Sequence, residues 1–359
     1  VTNGTATLLG GATVEGDAGV ENARVLEIGA GGVTNNAVIS VNSNQGLFNT
    51  FVSVVTDATI AGAGSIDLNV SDANGDLNDA TLTAAPGFTG TIGADQSVTG
   101  KGRVTGSWIN NGAIHADRAG QELRVSASVL QGPGAVLGAT DGAVLGLADN
   151  ALIEGGLAVT DTGGRVSVTN GTATVLAGFR NTGDLSINSA RTLAIGSGGM
   201  VNDGTITVNT EPGINNTFLS FDADTAISGS GVIDLNVSDA NGDFNDAQIV
   251  TALGVTATLG AGQTVTGKGR LTGDFVLDGT IEADRPNQDL RIAGTLDGAG
   301  GGVVRATNGA FAVFDTCEVT DATLESDTGG AVLARTNNNT FTRVVSNADA
   351  GLRNSADLA

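Results

Sequence analysis

The feature that most constrains this sequence is a near-identical internal repeat with an offset of 167 residues. Ile66–Ala80 reads IDLNVSDANGDLNDA and Ile233–Ala247 reads IDLNVSDANGDFNDA, so the two segments differ only where Phe244 replaces Leu77. A chain that repeats itself on this scale is expected to fold as a stack of equivalent supersecondary units, each burying its apolar face against the next.

The offset divides the chain into two full copies and the beginning of a third. The sequence VTNGTAT opens the copies 1–167 and 168–334, and residues 335–359 start the third copy. We therefore interpret the chain as two solenoid repeats and part of another, an excerpt of a longer repeat protein.

A shorter template recurs inside each copy. Residues 179–187 read FRNTGDLSI, and residues 200–208, which lie 21 positions later, read MVNDGTITV. Both follow the order apolar, x, Asn, x, Gly, x, apolar, x, apolar. The strict alternation predicts a short strand with one buried face, and the Asn and Gly residues tolerate positive φ at sharp corners. Essentially no helix is expected.

Two all-β architectures are compatible with short strands separated by frequent corners. One is an antiparallel sandwich built from hairpins, and the other is a coil whose turns stack in register. The recurrence at about 20 residues favours the coil, because hairpins would repeat at shorter and less regular spacings. The sequence thus predicts a parallel β-solenoid (β-helix) of about 17 coils of roughly 20 residues.

Composition excludes several partners. The formal net charge is −22 and only two of the residues are lysine, Lys101 and Lys268. This balance argues against nucleic acid as a partner, because phosphate binding requires a basic face. No apolar stretch approaches the length of a transmembrane segment, and a single cysteine cannot form an intramolecular disulfide.

The pattern resembles the parallel β-helix repeats of bacterial surface exoproteins, the haemagglutinin-like adhesins and autotransporter passengers. The segments that carry the resemblance are Asn202–Ile206, Asp278–Ile281 and Arg191–Gly199. The resemblance implies an exported, elongated protein with an adhesive or structural role, secreted or held at the cell surface.

An acidic loop occurs once in each copy and is the best candidate for a metal site. Asp and Asn oxygens alternate around a glycine, as in the opening of a calcium loop, although the bidentate Glu of such loops is absent. The alternative is an Asx-rich loop whose side chains bond to their own backbone. The candidate calcium ligands are Asp72, Asn74, Asp76, Asn78, Asp79, Asp239, Asn241, Asp243, Asn245 and Asp246.

Other polar residues are assigned structural roles. Lys101 and Arg103 are expected to form exposed ion pairs with Asp117 on the adjacent coil, and the second copy repeats this arrangement. His115 is the sole histidine, and its counterpart is Glu282, so a solvent-facing position is expected rather than a catalytic base. Cys317 lies in an apolar run and is predicted to be a core residue.

These observations predict a non-enzymatic extracellular repeat protein that forms a rod or fibre on the cell surface. Self-association into fibres or arrays is the expected interaction, with surface polysaccharide as a further partner. The alternative is a carbohydrate-binding or polysaccharide-cleaving β-helix protein, because carboxylates are plentiful. Against it, sugar-processing grooves are usually lined with aromatic residues, and the chain has no Tyr and one Trp.

Overall fold

The protein is a parallel β-solenoid. A computed structural model describes residues 1–71, 73–211, 213–237, 243–327, 329–336 and 338–352. Its strands pair in parallel with equivalent strands of neighbouring coils, for example Thr5 with Val25 and Thr81 with Phe51. This confirms the predicted fold class over the antiparallel sandwich.

The solenoid has about 15 coils rather than the predicted 17. The difference arises because some coils carry loops that the template lacks. Val25 pairs with Phe51 and Phe51 pairs with Thr81, so these two coils advance by 26 and 30 residues. Later coils return to the short spacing, as Arg103 pairs with Arg124.

The chain divides into two compact units, Val1–Ala173 and Thr174–Ala359, and the second is described as far as residue 352. The strands that precede residue 171 are β1 (Thr5–Leu8), β2 (Ala12–Val14), β3 (Ala18–Val20), β4 (Val25–Ile28), β5 (Val33–Asn35), β6 (Val38–Val41), β7 (Phe51–Val54), β8 (Ala58–Ala61), β9 (Ser65–Asn69), β10 (Thr81–Ala84), β11 (Thr89–Ile92), β12 (Ser97–Asn110), β13 (Ala113–Ala116), β14 (Glu122–Gln131), β15 (Val136–Ala139), β16 (Val144–Ala148), β17 (Ala151–Glu154), β18 (Leu157–Thr160) and β19 (Arg165–Asn170).

The remaining strands follow the same pattern. They are β20 (Thr172–Leu176), β21 (Phe179–Asn181), β22 (Asp184–Ile187), β23 (Thr192–Ile195), β24 (Met200–Asn202), β25 (Thr205–Val208), β26 (Phe218–Phe221), β27 (Thr225–Ser228), β28 (Val232–Asn236), β29 (Gln248–Thr251), β30 (Thr256–Leu259), β31 (Thr264–Leu277), β32 (Thr280–Ala283), β33 (Asp289–Asp297), β34 (Val303–Ala306), β35 (Phe311–Thr320), β36 (Thr323–Ser326), β37 (Ala331–Ala334), β38 (Thr340–Thr342), β39 (Val345–Asn347) and β40 (Ala350–Leu352).

Each coil contributes to three parallel sheets. In the first unit, β1, β4, β7 and β10 stack in the first sheet, β2, β5, β8 and β11 in the second, and β3, β6 and β9 in the third. Strand β12 takes part in all three, because it pairs with β9, β10 and β11 along its length. Gly100 and Gly106 lie in β12 with φ of 93° and 90°, which L side chains rarely adopt, so glycine lets one strand pass from sheet to sheet.

The core is a set of aliphatic ladders. Successive coils of the first sheet place buried side chains directly above one another at Leu26, Val52, Leu82, Val104, Val125 and Leu147. Strand alternation turns every second side chain inward, and register stacking brings the inward positions into contact. Removal of this apolar surface from water is the main stabilising term of the fold.

The core also explains one matched difference between the two repeats. Gly90 pairs with Trp108 in the second sheet, and a β-carbon at Gly90 would overlap the six-membered ring of Trp108. In the second unit the equivalent pair is Ala257 and Phe275, both buried. The smaller ring thus accompanies the added methyl group. Phe221, which replaces the buried Val54, also packs against Phe275 with ring centroids 6.5 Å apart.

Helix is nearly absent, as predicted. The described residues contain two short 3₁₀ helices, η1 (Leu77–Asp79) and η2 (Phe244–Asp246), at equivalent places in the two repeats. Among the described residues, no helix combines the length and apolarity required to cross a lipid bilayer.

Candidate functional site

The acidic loop of the first repeat is tied together by its own side chains. Asp76 is the N-cap of η1, and its Oδ1 accepts hydrogen bonds from Asn78 N at 3.0 Å and Asn78 Nδ2 at 2.9 Å. Asn74 Oδ1 accepts from Asp76 N at 3.1 Å. These are Asx-turn and N-cap contacts, so two of the predicted calcium ligands, Asn74 and Asp76, bond to the local backbone.

Asp79 ends this loop and is buried. Its Oδ2 accepts a hydrogen bond from Asn74 Nδ2 at 2.8 Å. Its Oδ1 has no hydrogen-bond partner among the described residues. The hydrogen bond to Asp79 Oδ2 ties Asn74 to the end of the loop.

The second repeat reproduces the described part of this loop. Asp243 Oδ1 accepts from Asn245 N at 2.9 Å and from Asn245 Nδ2 at 2.8 Å, and Asp246 is buried like Asp79. The predicted ligands Asp72, Asp239 and Asn241 lie outside the described residues.

Calcium binding at these loops stays a prediction. In the described part of the chain, no group of three or more His, Cys, Asp or Glu side chains is arranged to hold a metal ion. The geometry of Asn74, Asp76 and Asn78 is that of the Asx-rich loop which the sequence offered as the alternative.

The predicted ion pair between Arg103 and Asp117 is wrong. Arg103 Nη2 lies 2.8 Å from Asp149 Oδ2, and its Nη1 donates to Asn78 Oδ1 at 3.0 Å. Asp117 Oδ1 instead accepts from Gly100 N at 3.0 Å. The chain leaves the third sheet after Lys101, which pairs with Asn69, and enters the first sheet at Arg103, so Arg103 faces a different side of the coil from Asp117.

The lysines are buried rather than exposed. Lys101 and Lys268 have relative exposures of 8% and 5%. Exposed ion pairs were therefore the wrong expectation for them, and both residues lie where β12 and β31 pass from the third sheet to the first.

The arginine next to Asp117 forms a tie that the sequence did not reveal. Arg118 Nη2 lies 2.6 Å from Asp67 Oδ1, and its Nη1 donates to Asn69 Oδ1 at 2.8 Å. Arg285 contacts Asp234 at 2.8 Å and Asn236 at 3.0 Å in the second unit.

Partial burial shifts the pKa values of the carboxyl groups in these ties. Burial raises the pKa of the Asp67 carboxyl above its usual value, and the charge and hydrogen bond of Arg118 oppose that shift. The pKa of Asp234 is raised for the same reason and is opposed by Arg285 in the same way. The electrostatics of the tie are therefore repeated along with its geometry.

A second tie missed by the sequence lies inside the coils. Asn35 Nδ2 donates to Gln96 Oε1 at 3.2 Å, and Gln96 Nε2 donates to the Asn35 carbonyl at 2.6 Å. Asn202 and Gln263 repeat both contacts, at 3.1 and 2.7 Å. All four side chains are buried. The recurrence of Gln at the 167-residue offset, immediately before β12 and β31, was the signal available.

A groove lies beside η1 in the first unit. It has a volume of about 350 Å³ and is lined by Gly75, Asp76, Leu77, Asn78, Lys101, Arg103, Gly120, Gln121, Glu122 and Arg124. Arg124 is held by Glu122 through two hydrogen bonds of 2.9 Å.

The same place in the second unit contains an aromatic ring. Phe244 replaces Leu77, and the centroid of its ring lies 3.7 Å from Arg291 Cζ and 5.7 Å from Lys268 Nζ. These two cations are the counterparts of Arg124 and Lys101 at the 167-residue offset. The arrangement is a cation–π stack.

Cys317 has the core position that the sequence predicted, whereas His115 is less exposed than the predicted solvent-facing position. His115 is half-buried, and its Nε2 lies 3.0 Å from Thr140 Oγ1. Its counterpart Glu282 contacts Arg305 and Thr307 at 2.7 and 3.1 Å. Cys317 is buried in the core, and burial raises the pKa of its thiol to about 12. Such a thiol is not a nucleophile near neutral pH.

Comparison of the chain with protein-family models, with curated proteins and with solved structures gave no match. The class defined by the geometry is that of a parallel β-solenoid with a long internal repeat.

Proposed function

We propose that this protein is a structural or adhesive repeat module of an extracellular protein, in which stacked coils form a rod or fibre at the cell surface. Repeat number would set the reach of such a rod, and contacts between neighbouring chains would build the fibre or array.

The proposal is supported by the contacts that the two repeats share. The buried Asn35–Gln96 tie and the Asp67–Arg118 tie both recur in the second unit with nearly the same distances. These contacts join one coil to another within each repeat. A chain that duplicates its coil-to-coil ties is suited to extending a scaffold, since each repeat brings its own support.

The outward surface supports a role in contacts with other molecules. On the second sheet of the first unit, Ile109 and Leu130 are register neighbours that point outward. The equivalent neighbours in the second unit are Val276 and Asp297. The two repeats therefore keep the same framework and present different outer surfaces, as expected if the framework carries variable contacts.

Electron microscopy of negatively stained full-length chain tests the proposal. We expect elongated particles that associate end to end or side by side, with association increasing with protein concentration. Compact particles that remain single at all concentrations would contradict the role as a fibre module. Immunogold labelling of intact cells would test the surface location separately.

Activity on polysaccharides tests the enzymatic alternative. A panel of acidic polysaccharides should show no chain cleavage by the purified protein. Robust turnover would favour the β-helix lyase or hydrolase class over a structural role.

A further inference from the structure

We propose that the groove beside η1 in the first unit is a binding site for a planar aromatic ring. The inference goes beyond the structural role, because it assigns a ligand class to one repeat and not to the other. It rests on the comparison of two copies of the same local structure within one chain.

The second repeat shows which group this local structure accommodates. Phe244 lies on η2 and places its ring over the guanidinium of Arg291, at 3.7 Å from Cζ to the ring centroid. Lys268 approaches the same ring at 5.7 Å. A guanidinium plane stacked on an aromatic face gains both cation–π and dispersion energy.

The first repeat has the same cations without the ring. Leu77 takes the place of Phe244 on η1, and Leu77, Lys101 and Arg124 all line the groove. An aliphatic side chain offers no π face to the guanidinium. The groove of about 350 Å³ lies within the size range of small-molecule sites and readily accommodates one ring.

Arg124 is oriented for stacking before any ligand arrives. Glu122 binds its Nε and Nη2 through two hydrogen bonds of 2.9 Å, which fixes the guanidinium plane. The corresponding contact of Arg291 with Asp289 is a single one of 3.4 Å. Because a fixed guanidinium loses little freedom when a ring stacks on it, the first repeat is the better prepared of the two.

The lining favours a neutral ring over an anion. Arg103 already donates to Ser126, Asn78 and Asp149, so its hydrogen-bonding capacity is largely used. Asp76 and Glu122 also line the groove and would repel a negative group. The remaining attraction is between a cation face and a π face, which requires no charge on the ligand.

The test uses methyl-labelled full-length protein and two matched probes in NMR titrations. Benzyl alcohol carries the ring, and cyclohexylmethanol carries the same hydroxyl on a saturated ring. We expect benzyl alcohol to cause saturable shifts of the Leu77 methyl signals, with at least about tenfold weaker binding of cyclohexylmethanol. N-acetyl-phenylalaninamide serves as a third probe: tighter binding than benzyl alcohol would indicate an aromatic side chain of a polypeptide as the source of the ring, and equal binding a small molecule.

Two reciprocal variants keep the inference falsifiable. L77F should fill the groove with an internal ring and weaken benzyl alcohol binding there at least about tenfold. F244L should open the equivalent groove in the second unit, so that the methyl groups introduced at position 244 also show saturable shifts. The thermal unfolding of each variant is the control for intact folding.

Three results would overturn the inference. These are undiminished binding of benzyl alcohol by folded L77F, equal affinity for the saturated probe, and absence of a saturable shift at Leu77 up to ~50 mM probe, a concentration at which a ligand of this size would register.

Discussion

The two repeats share a buried amide tie but differ at outward positions of the second sheet. The Asn35–Gln96 tie recurs as Asn202–Gln263, whereas the outward neighbours Ile109 and Leu130 of the first unit correspond to Val276 and Asp297 in the second. Interior groups are constrained by close packing and by the cost of unpaired polar atoms. Outward side chains on a sheet are subject to neither constraint. The comparison separates the residues that specify the coil from those free to acquire contacts.

Substitutions at the core pair Gly90 and Trp108 should have the largest effect on the free energy of unfolding. We expect G90A to lower the free energy of unfolding by about 2 kcal/mol, because the added methyl overlaps Trp108. W108F alone should lower it by about 1–2 kcal/mol by leaving unfilled volume. The double variant, which reproduces the pair Ala257 and Phe275, should recover at least about 1 kcal/mol relative to additivity.

Denaturant unfolding of the four proteins measures this coupling. Simple additivity of the two changes would contradict the explanation that ring and methyl exchange volume between the repeats.

The buried amide tie should show the next largest effect. Q96A removes both hydrogen bonds to Asn35 and leaves buried groups unpaired, so we expect a loss of about 1–3 kcal/mol. Q263A should cost at least as much, because Gln263 makes the same two contacts with Asn202 and also donates to the Ser228 carbonyl at 3.0 Å. Gln45 provides the matched control: its side chain is exposed and bonds to Asn69, and Q45A should change stability by less than about 0.5 kcal/mol. A loss for Q263A that is clearly smaller than the loss for Q96A would break the equivalence of the two ties.

A smaller effect on the free energy of unfolding is expected from the titration of the carboxyl groups that pair with Arg118 and Arg285. The pKa of Asp67 is raised in the folded protein, so near that pKa the folded state binds more protons than the unfolded state. Its contribution to stability is therefore present below the unfolded pKa and is lost as pH rises through the folded pKa. D67N should remove this loss, and the stability of the variant relative to wild type should increase with pH by under about 1 kcal/mol.

Asp203 should change the stability with pH in the opposite direction. Hydrogen bonds from Ser230 and the charge of Arg180 lower its pKa, so its contribution is present above the unfolded pKa and is lost as pH falls. Thermal unfolding from pH 3 to pH 7 should give D67N and D234N the same slope relative to wild type, and D203N the reverse. A shared slope for all three variants would contradict the assigned causes.

The smallest effect is expected from divalent cations. The side-chain oxygens of Asn74 and Asp76 already accept hydrogen bonds within the loop. We therefore expect thermal unfolding to be unchanged, within about 1 °C, by EDTA or by millimolar Ca²⁺. A rise of several degrees with Ca²⁺ would restore the calcium prediction for the acidic loops.

The sequence predicted the coil well because the coil depends on periodicity. Alternation and Asn-Gly corners define strands and turns locally, and the recurrence near 20 residues implies stacking. The coil number was overestimated because the loops after Val41 and after Asn69 add residues without adding a strand. The 167-residue offset also pointed to the equivalence of Leu77 and Phe244, although not to the stack on Arg291.

The side-chain partners were harder to predict, since they depend on which sheet each residue enters. Lys101 and Arg103 are two positions apart, yet they pair with Asn69 in one sheet and Thr81 in another. The spacing of about one coil therefore suggested Asp117 as a partner of Arg103, whereas the corner directs Arg103 to Asp149. Fold class follows from the repeating pattern, but such contacts require the position of each corner.

Disulfide trapping tests most directly the claim that equivalent positions of adjacent coils stack in parallel register in both repeats. Thr59 and Thr91 are register neighbours in the first unit, as are Ala226 and Thr258 in the second. Neighbouring strands lie about 4.8 Å apart, which is within the reach of a disulfide. T59C/T91C and A226C/T258C should each form an intramolecular disulfide under mild oxidation, whereas T59C/I109C, whose positions are two coils apart, should not. Failure of both neighbour pairs to form the bond, or its formation in the distant pair, would contradict the stacked register.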